Sequence, residues 1–90
     1  MNPDGPAETS ARFSKAALVE ASGLSDKSFD TIRKAARVKG PSHGGRHWQF
    51  TVADVRALIS RAESGSFTDR GRPAATAWRA ILTELGLRVD

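Results

Sequence analysis

Apolar residues recur along this chain at helical spacing, and three of the stretches open in the same way. Phe13 precedes Ser14, and Leu18 lies four residues further on; Leu24, Ser25 and Phe29 repeat the arrangement, and so do Phe50, Thr51 and Val55. In each case a hydroxyl can accept from an orphan backbone N–H at a helix start, while the flanking apolar pair closes over it as a hydrophobic staple. Asp54, three residues after Thr51, adds a short capping box. The pattern predicts helices over about 15–22, 26–37 and 52–63. Ser22-Gly23 ends the first, and only Gly23 and Leu24 separate it from the next cap, which is the spacing of a helix-turn-helix.

On the second helix Phe29, Ile32 and Ala36 form one apolar stripe. At about 100° per residue the opposite face carries Lys27, Asp30, Thr31, Lys34 and Arg37, with Arg33 on the flank. Gly40-Pro41-Ser42-His43-Gly44-Gly45 is a loop by composition. Alternation then places Trp48 and Phe50 inward and His47 and Gln49 outward, so Val38-Lys39 and Arg46–Phe50 are expected to pair as a short hairpin, or wing. The third helix buries Val55, Leu58, Ile59 and Ala62. After a polar connector over 64–72, Pro73 suits the first turn of a last helix at about 73–85, with Ala74, Ala77, Trp78, Ile81, Leu82 and Leu85 as its stripe. The expected organisation is a flexible tail over 1–12, a domain over 13–63, a linker over 64–72, and a C-terminal segment over 73–90 that packs on the domain or mediates association. The fold class is mainly α with a small β-hairpin.

Composition narrows the function. With 39% hydrophobic and 27% charged residues the chain can fold. Its formal net charge is +4, and Arg33, Lys34, Arg37, Lys39 and Arg46 follow one another with no Asp or Glu between them. A basic run of this kind suits a polyanion. The absence of cysteine excludes disulfides and thiolate metal sites and fits a reducing compartment. No apolar run is long enough to span a membrane, and the start of the chain has neither the basic residues nor the apolar stretch of a signal peptide. A cytoplasmic, nucleoid-associated location is expected.

The run Phe13-Ser14-Lys15-Ala16-Ala17-Leu18-Val19-Glu20-Ala21-Ser22-Gly23-Leu24-Ser25, then Lys27, Ser28 and Phe29, then Gly45-Arg46-His47-Trp48 and Thr51-Val52-Ala53-Asp54-Val55, resembles the MerR-like and phage excisionase-like winged helix-turn-helix superfamily. The resemblance covers about residues 13–62. The chain departs from the family pattern after the second helix, where the usual Gly-Leu-Ile/Leu is absent, and before Arg46, where Gly45 replaces an aromatic. The resemblance implies a winged helix-turn-helix in which the second helix enters the DNA major groove, with the wing on the backbone. That makes a small transcriptional regulator the leading expectation, and an excisionase or small terminase type of DNA-handling protein the alternative.

The expected DNA-binding residues are Lys27, Ser28, Thr31, Arg33, Lys34 and Arg37 on the second helix, and Lys39, His43 and Arg46, with His47, in the wing. The competing readings are an ordinary solvated helix face and a hairpin whose Arg46 packs on an aromatic or pairs with a carboxylate. Arg70-Gly71-Arg72-Pro73 resembles an AT-hook core, which would put Arg70 and Arg72 in a minor groove; a linker followed by a Pro-started helix is the plainer reading. His43 and His47, in a loop and strand without a carboxylate beside them, do not suggest a metal site, and no catalytic constellation is present in the sequence. No cofactor is expected. A rival function of another class is a protein-interaction adaptor, or a self-associating chain, that uses Trp78, Ile81 and Leu85 on the last helix.

Overall fold

The computed structural model describes residues 11–40, 48–64 and 68–88. In chain order these form β1 (Arg12–Ser14), α1 (Lys15–Ser22), α2 (Asp26–Ala35), β2 (Gln49–Thr51), α3 (Val52–Ala62) and α4 (Thr68–Glu84). The fold of the described residues is mainly helical, with one two-stranded antiparallel sheet.

The three helix starts form as the local pattern requires. Ser14 Oγ accepts from the Ala17 N–H, Ser25 Oγ from the Ser28 N–H and Thr51 Oγ1 from the Asp54 N–H, each at 3.1 Å. The Asp54 carboxylate accepts from the Thr51 N–H at 3.0 Å, closing the capping box. Of the flanking apolar pairs, Phe13, Leu18, Phe29, Phe50 and Val55 are buried, and Leu24 packs against the same core.

The strands differ from the hairpin expected. β2 pairs with β1, not with Val38-Lys39: Phe13 lies opposite Phe50, Arg12 opposite Thr51 and Ser14 opposite Gln49. Two physical reasons favour this pairing. Phe13 and Phe50 lie opposite each other and are both buried, so the pairing puts two large apolar side chains on the core face together. Ser14 and Thr51 are also helix caps, so each strand runs directly into a helix and the pairing fixes where α1 and α3 begin. Val38 is taken up instead by the turn that closes α2, and its side chain is buried there. That turn also ends α2 at Ala35, two residues before the expected end. The part of the expected hairpin at 46–47 lies outside the described residues.

The last helix starts five residues earlier than expected. Pro73 lies inside α4, beyond its first turn. Lacking an N–H, it forgoes one bond to the carbonyl of residue 69. Thr68 and Asp69 are residue types that suit a helix start, which is the signal for the earlier boundary. α4 packs along α3 and against α1, burying Ala74, Ala75, Trp78 and Leu82.

The core is organised by aromatics. Phe29 of α2 meets Phe50 of β2 edge-on, with ring centroids 5.8 Å apart, and meets Trp78 of α4 edge-on at 5.9 Å. Trp48 continues the row, 6.3 Å from Phe50. The buried Trp78 indole N–H donates to the Leu18 carbonyl of α1 at 2.9 Å. One residue therefore joins α4 to both α1 and α2. Trp78→Phe keeps much of the ring but loses the donor, and is expected to cost about 1–3 kcal/mol. Trp78→Ala should cost about 3–5 kcal/mol. Equilibrium urea unfolding checks both values.

Candidate nucleic-acid interface

The turn between α1 and α2 is closed by its own side chains. Gly23 is left-handed at φ 74° and donates to the Val19 carbonyl at 3.1 Å. Ser22 Oγ donates to the same carbonyl at 2.8 Å and accepts from the Leu24 N–H at 3.1 Å. This short turn delivers Ser25, the cap of α2, and so sets where the basic helix starts.

α2 buries Phe29 and Ile32, which leaves the face bearing Lys27, Thr31 and Lys34 toward solvent. All three are exposed. Neither lysine ammonium makes a hydrogen bond or ion pair to another described residue, whereas Thr31 Oγ1 donates to the Lys27 carbonyl at 3.0 Å. Ser28 is half-buried beside the cap, its hydroxyl 3.1 Å from that of Ser25. Four of the expected contact residues thus share one helix surface.

Arg33 is different. Its Nε donates to Asp30 Oδ1 at 3.2 Å and its Nη1 donates to the Val38 carbonyl at 2.9 Å. The side chain is only 12% exposed. Gly40 lies against it so closely that a Cβ there would come within 2.6 Å of the guanidinium carbon. Arg33 is therefore a brace between α2 and the chain that leaves it, and is not displayed for a ligand.

Asp30 is the other end of that brace. Lys15 Nζ of α1 sits 3.1 Å from its second oxygen, so the carboxylate is held between two cations. Burial alone would raise its pKa; hydrogen bonds from Lys15 and Arg33, with their charges, outweigh burial and hold the carboxyl below its ordinary value. The acid on this helix that would most oppose a polyanion is thereby neutralised from within. Asp26, exposed in the first turn, remains on the flank, where its charge complements the helix dipole.

Beyond α2, Arg37 and Lys39 are exposed, and neither side chain has a partner among the described residues. His43, Arg46 and His47 lie outside the described residues. Arg70 and Arg72 are both within α4, so Arg70-Gly71-Arg72-Pro73 is helical and does not take the extended form that an AT-hook needs. Arg72 is exposed there. Of the three residues expected to bind a partner protein, Trp78 is fully buried and hydrogen-bonded, and so is part of the core. Ile81 is half-buried against that core, and Leu85 is 55% exposed.

The sequence reading passed over Lys15 and Gly40. Lys15 meets Asp30 from 15 residues away, which no local pattern announces. The Asp30–Arg33 pair did have a signal, since residues three apart on a helix are neighbours.

Compared with known proteins, the chain matches no family model, and no curated protein or solved structure is significantly similar to it.

The two kinds of cation are separable by stability. Arg33→Ala removes two hydrogen bonds from a mostly buried charge and should destabilise the fold by about 1.5–3 kcal/mol. Lys34→Ala, on the open face, should stay within about 0.5 kcal/mol of the parent. Thermal and urea unfolding of the two variants side by side tests the assignment.

Proposed function

We propose that this chain binds duplex DNA as a helix-turn-helix, with α2 in the major groove and the chain that leaves α2 along the phosphate backbone, in place of the hairpin wing expected. The observation that carries this reading is the exposed surface of Lys27, Thr31 and Lys34 opposite the buried Phe29 and Ile32, beside an Asp30 that is already paired. A helix fits the major groove, and the residues of its first turns reach base edges while lysines reach phosphates. Lys27, Ser28 and Thr31 take the first role, and Lys34 and Lys39 the second. For His43 and Arg46 the assignment rests on sequence alone. The net charge of +4 supplies a modest field of the right sign.

The resemblance to MerR-like and excisionase-like proteins supports a regulatory role, or DNA handling by a phage or mobile element, and both use the same contact chemistry. The adaptor reading finds less support. With Trp78 in the core, Leu85, just past the end of α4, is the large hydrophobic residue left exposed among the described residues, which is little surface for a docked partner.

Fluorescence anisotropy with random duplex DNA over about 50–300 mM salt tests the proposal. Micromolar or tighter binding that weakens steeply with salt is expected, and Lys34→Ala should lower the slope by roughly one and weaken all sequences alike. Absence of binding at the lowest salt would remove the DNA reading.

A further inference from the structure

Three helices are followed, one or two residues past their last helical position, by a residue in the left-handed region. After α1 the residue is Gly23 at φ 74°, and after α4 it is Gly86 at φ 73°. After α2 it is Arg37 at φ 60°. The hydrogen bonding after α2 is that of a complete Schellman turn: the Arg37 N–H donates to the Lys34 carbonyl at 3.0 Å and the Val38 N–H to the Arg33 carbonyl at 3.1 Å. The turn after α4 has the same two bonds, from Gly86 to Thr83 at 3.0 Å and from Leu87 to Leu82 at 2.9 Å. Equivalent backbone geometry is thus met by glycine at one helix end and by arginine at another.

Arginine is a poor residue for this conformation, because its Cβ crowds the following carbonyl, a contact glycine does not make. Nothing within the described fold offsets that strain. The Arg37 side chain is exposed, so it is not retained for packing, and it has no hydrogen bond or ion pair to another described residue. Nor does α2 need it to complement the helix dipole, since Arg33 and Lys34 already lie in the last turn. Strain at a residue without a structural use directs attention to function.

We propose that Arg37 is a phosphate-contact residue for duplex DNA, held in a strained pose because the turn carries this exposed arginine just past the end of α2, three residues after Lys34. The proposal rests on the DNA-binding reading and deepens it. No acid occurs in the sequence from Thr31 to Ala53, and Asp30, which precedes that stretch, is paired with Lys15 and Arg33. A guanidinium offers two parallel donors to a phosphate and remains charged at every pH at which the protein folds. The residue that leaves a groove-bound helix passes close to the sugar–phosphate backbone, where contacts fix register without reading sequence. Fold and ligand then place opposite demands on this position: the turn favours glycine and the phosphate favours arginine.

Thermal unfolding and DNA anisotropy measured on the parent, Arg37→Gly and Arg37→Lys separate these demands. Arg37→Gly is expected to raise Tm by about 4–8 °C. It should also weaken duplex binding several-fold at low salt and reduce the salt slope by roughly one. Arg37→Lys should keep the parent's Tm and most of the slope, because strain and charge both remain, while losing part of the affinity with the two-pronged geometry. If the parent binds DNA and Arg37→Gly binds as tightly with the same slope, the contact is wrong while the DNA reading stands. If Arg37→Gly is no more stable than the parent, the strain argument is overturned. If the parent itself shows no binding at about 50 mM salt, the DNA reading fails and takes this contact with it.

Discussion

The ring of Phe29 is held edge-on by Phe50 on one side and Trp78 on the other, and the Trp78 indole N–H is bonded to the Leu18 carbonyl. These contacts tie α2 to β2, α4 and α1 through a few side chains. Because α2 is gripped from one side only, its opposite side is left to solvent, and that side carries the lysines. Orientation of the basic surface is thus a consequence of core packing. Edge-on pairs at these distances add about 0.5–1.5 kcal/mol each beyond the area they bury.

A second division runs through the cations. Lys15 and Arg33 are consumed inside the fold by Asp30, while Lys27, Lys34, Arg37 and Lys39 have no partner among the described residues. The internal set keeps α1, α2 and the chain after α2 in register, and the open set gives the surface its sign. A count of basic residues along the sequence cannot separate the two, because the separation depends on which carboxylate each cation meets in space.

What the sequence made legible is what is decided locally. The three caps and their staples depend on residues within a few positions of one another, and Ser14, Ser25 and Thr51 all occupy the role their neighbours imply. The strand pairing was not legible, because the alternation around Phe50 says that its ring faces inward but not which partner lies across from it; Phe13 stands before α1, two helices earlier in the chain. The start of α4 was not legible because proline favours the first turn of a helix, and here one forgone hydrogen bond is outweighed by the packing of Ala74, Ala75 and Trp78. For the candidate site, the lysine face followed from periodicity, whereas the diversion of Arg33 and the left-handed pose of Arg37 needed the turn after α2 to be seen.

The central claim is that the surface of α2 opposite Phe29 is the part of this protein that meets DNA. Backbone amide NMR of the chain titrated with a random-sequence duplex at low salt tests it residue by residue. Chemical-shift changes are expected to concentrate over Lys27–Arg37, with residues 81–85 at the end of the chain's last helix undisturbed. Changes confined to α4, or none anywhere, would contradict it.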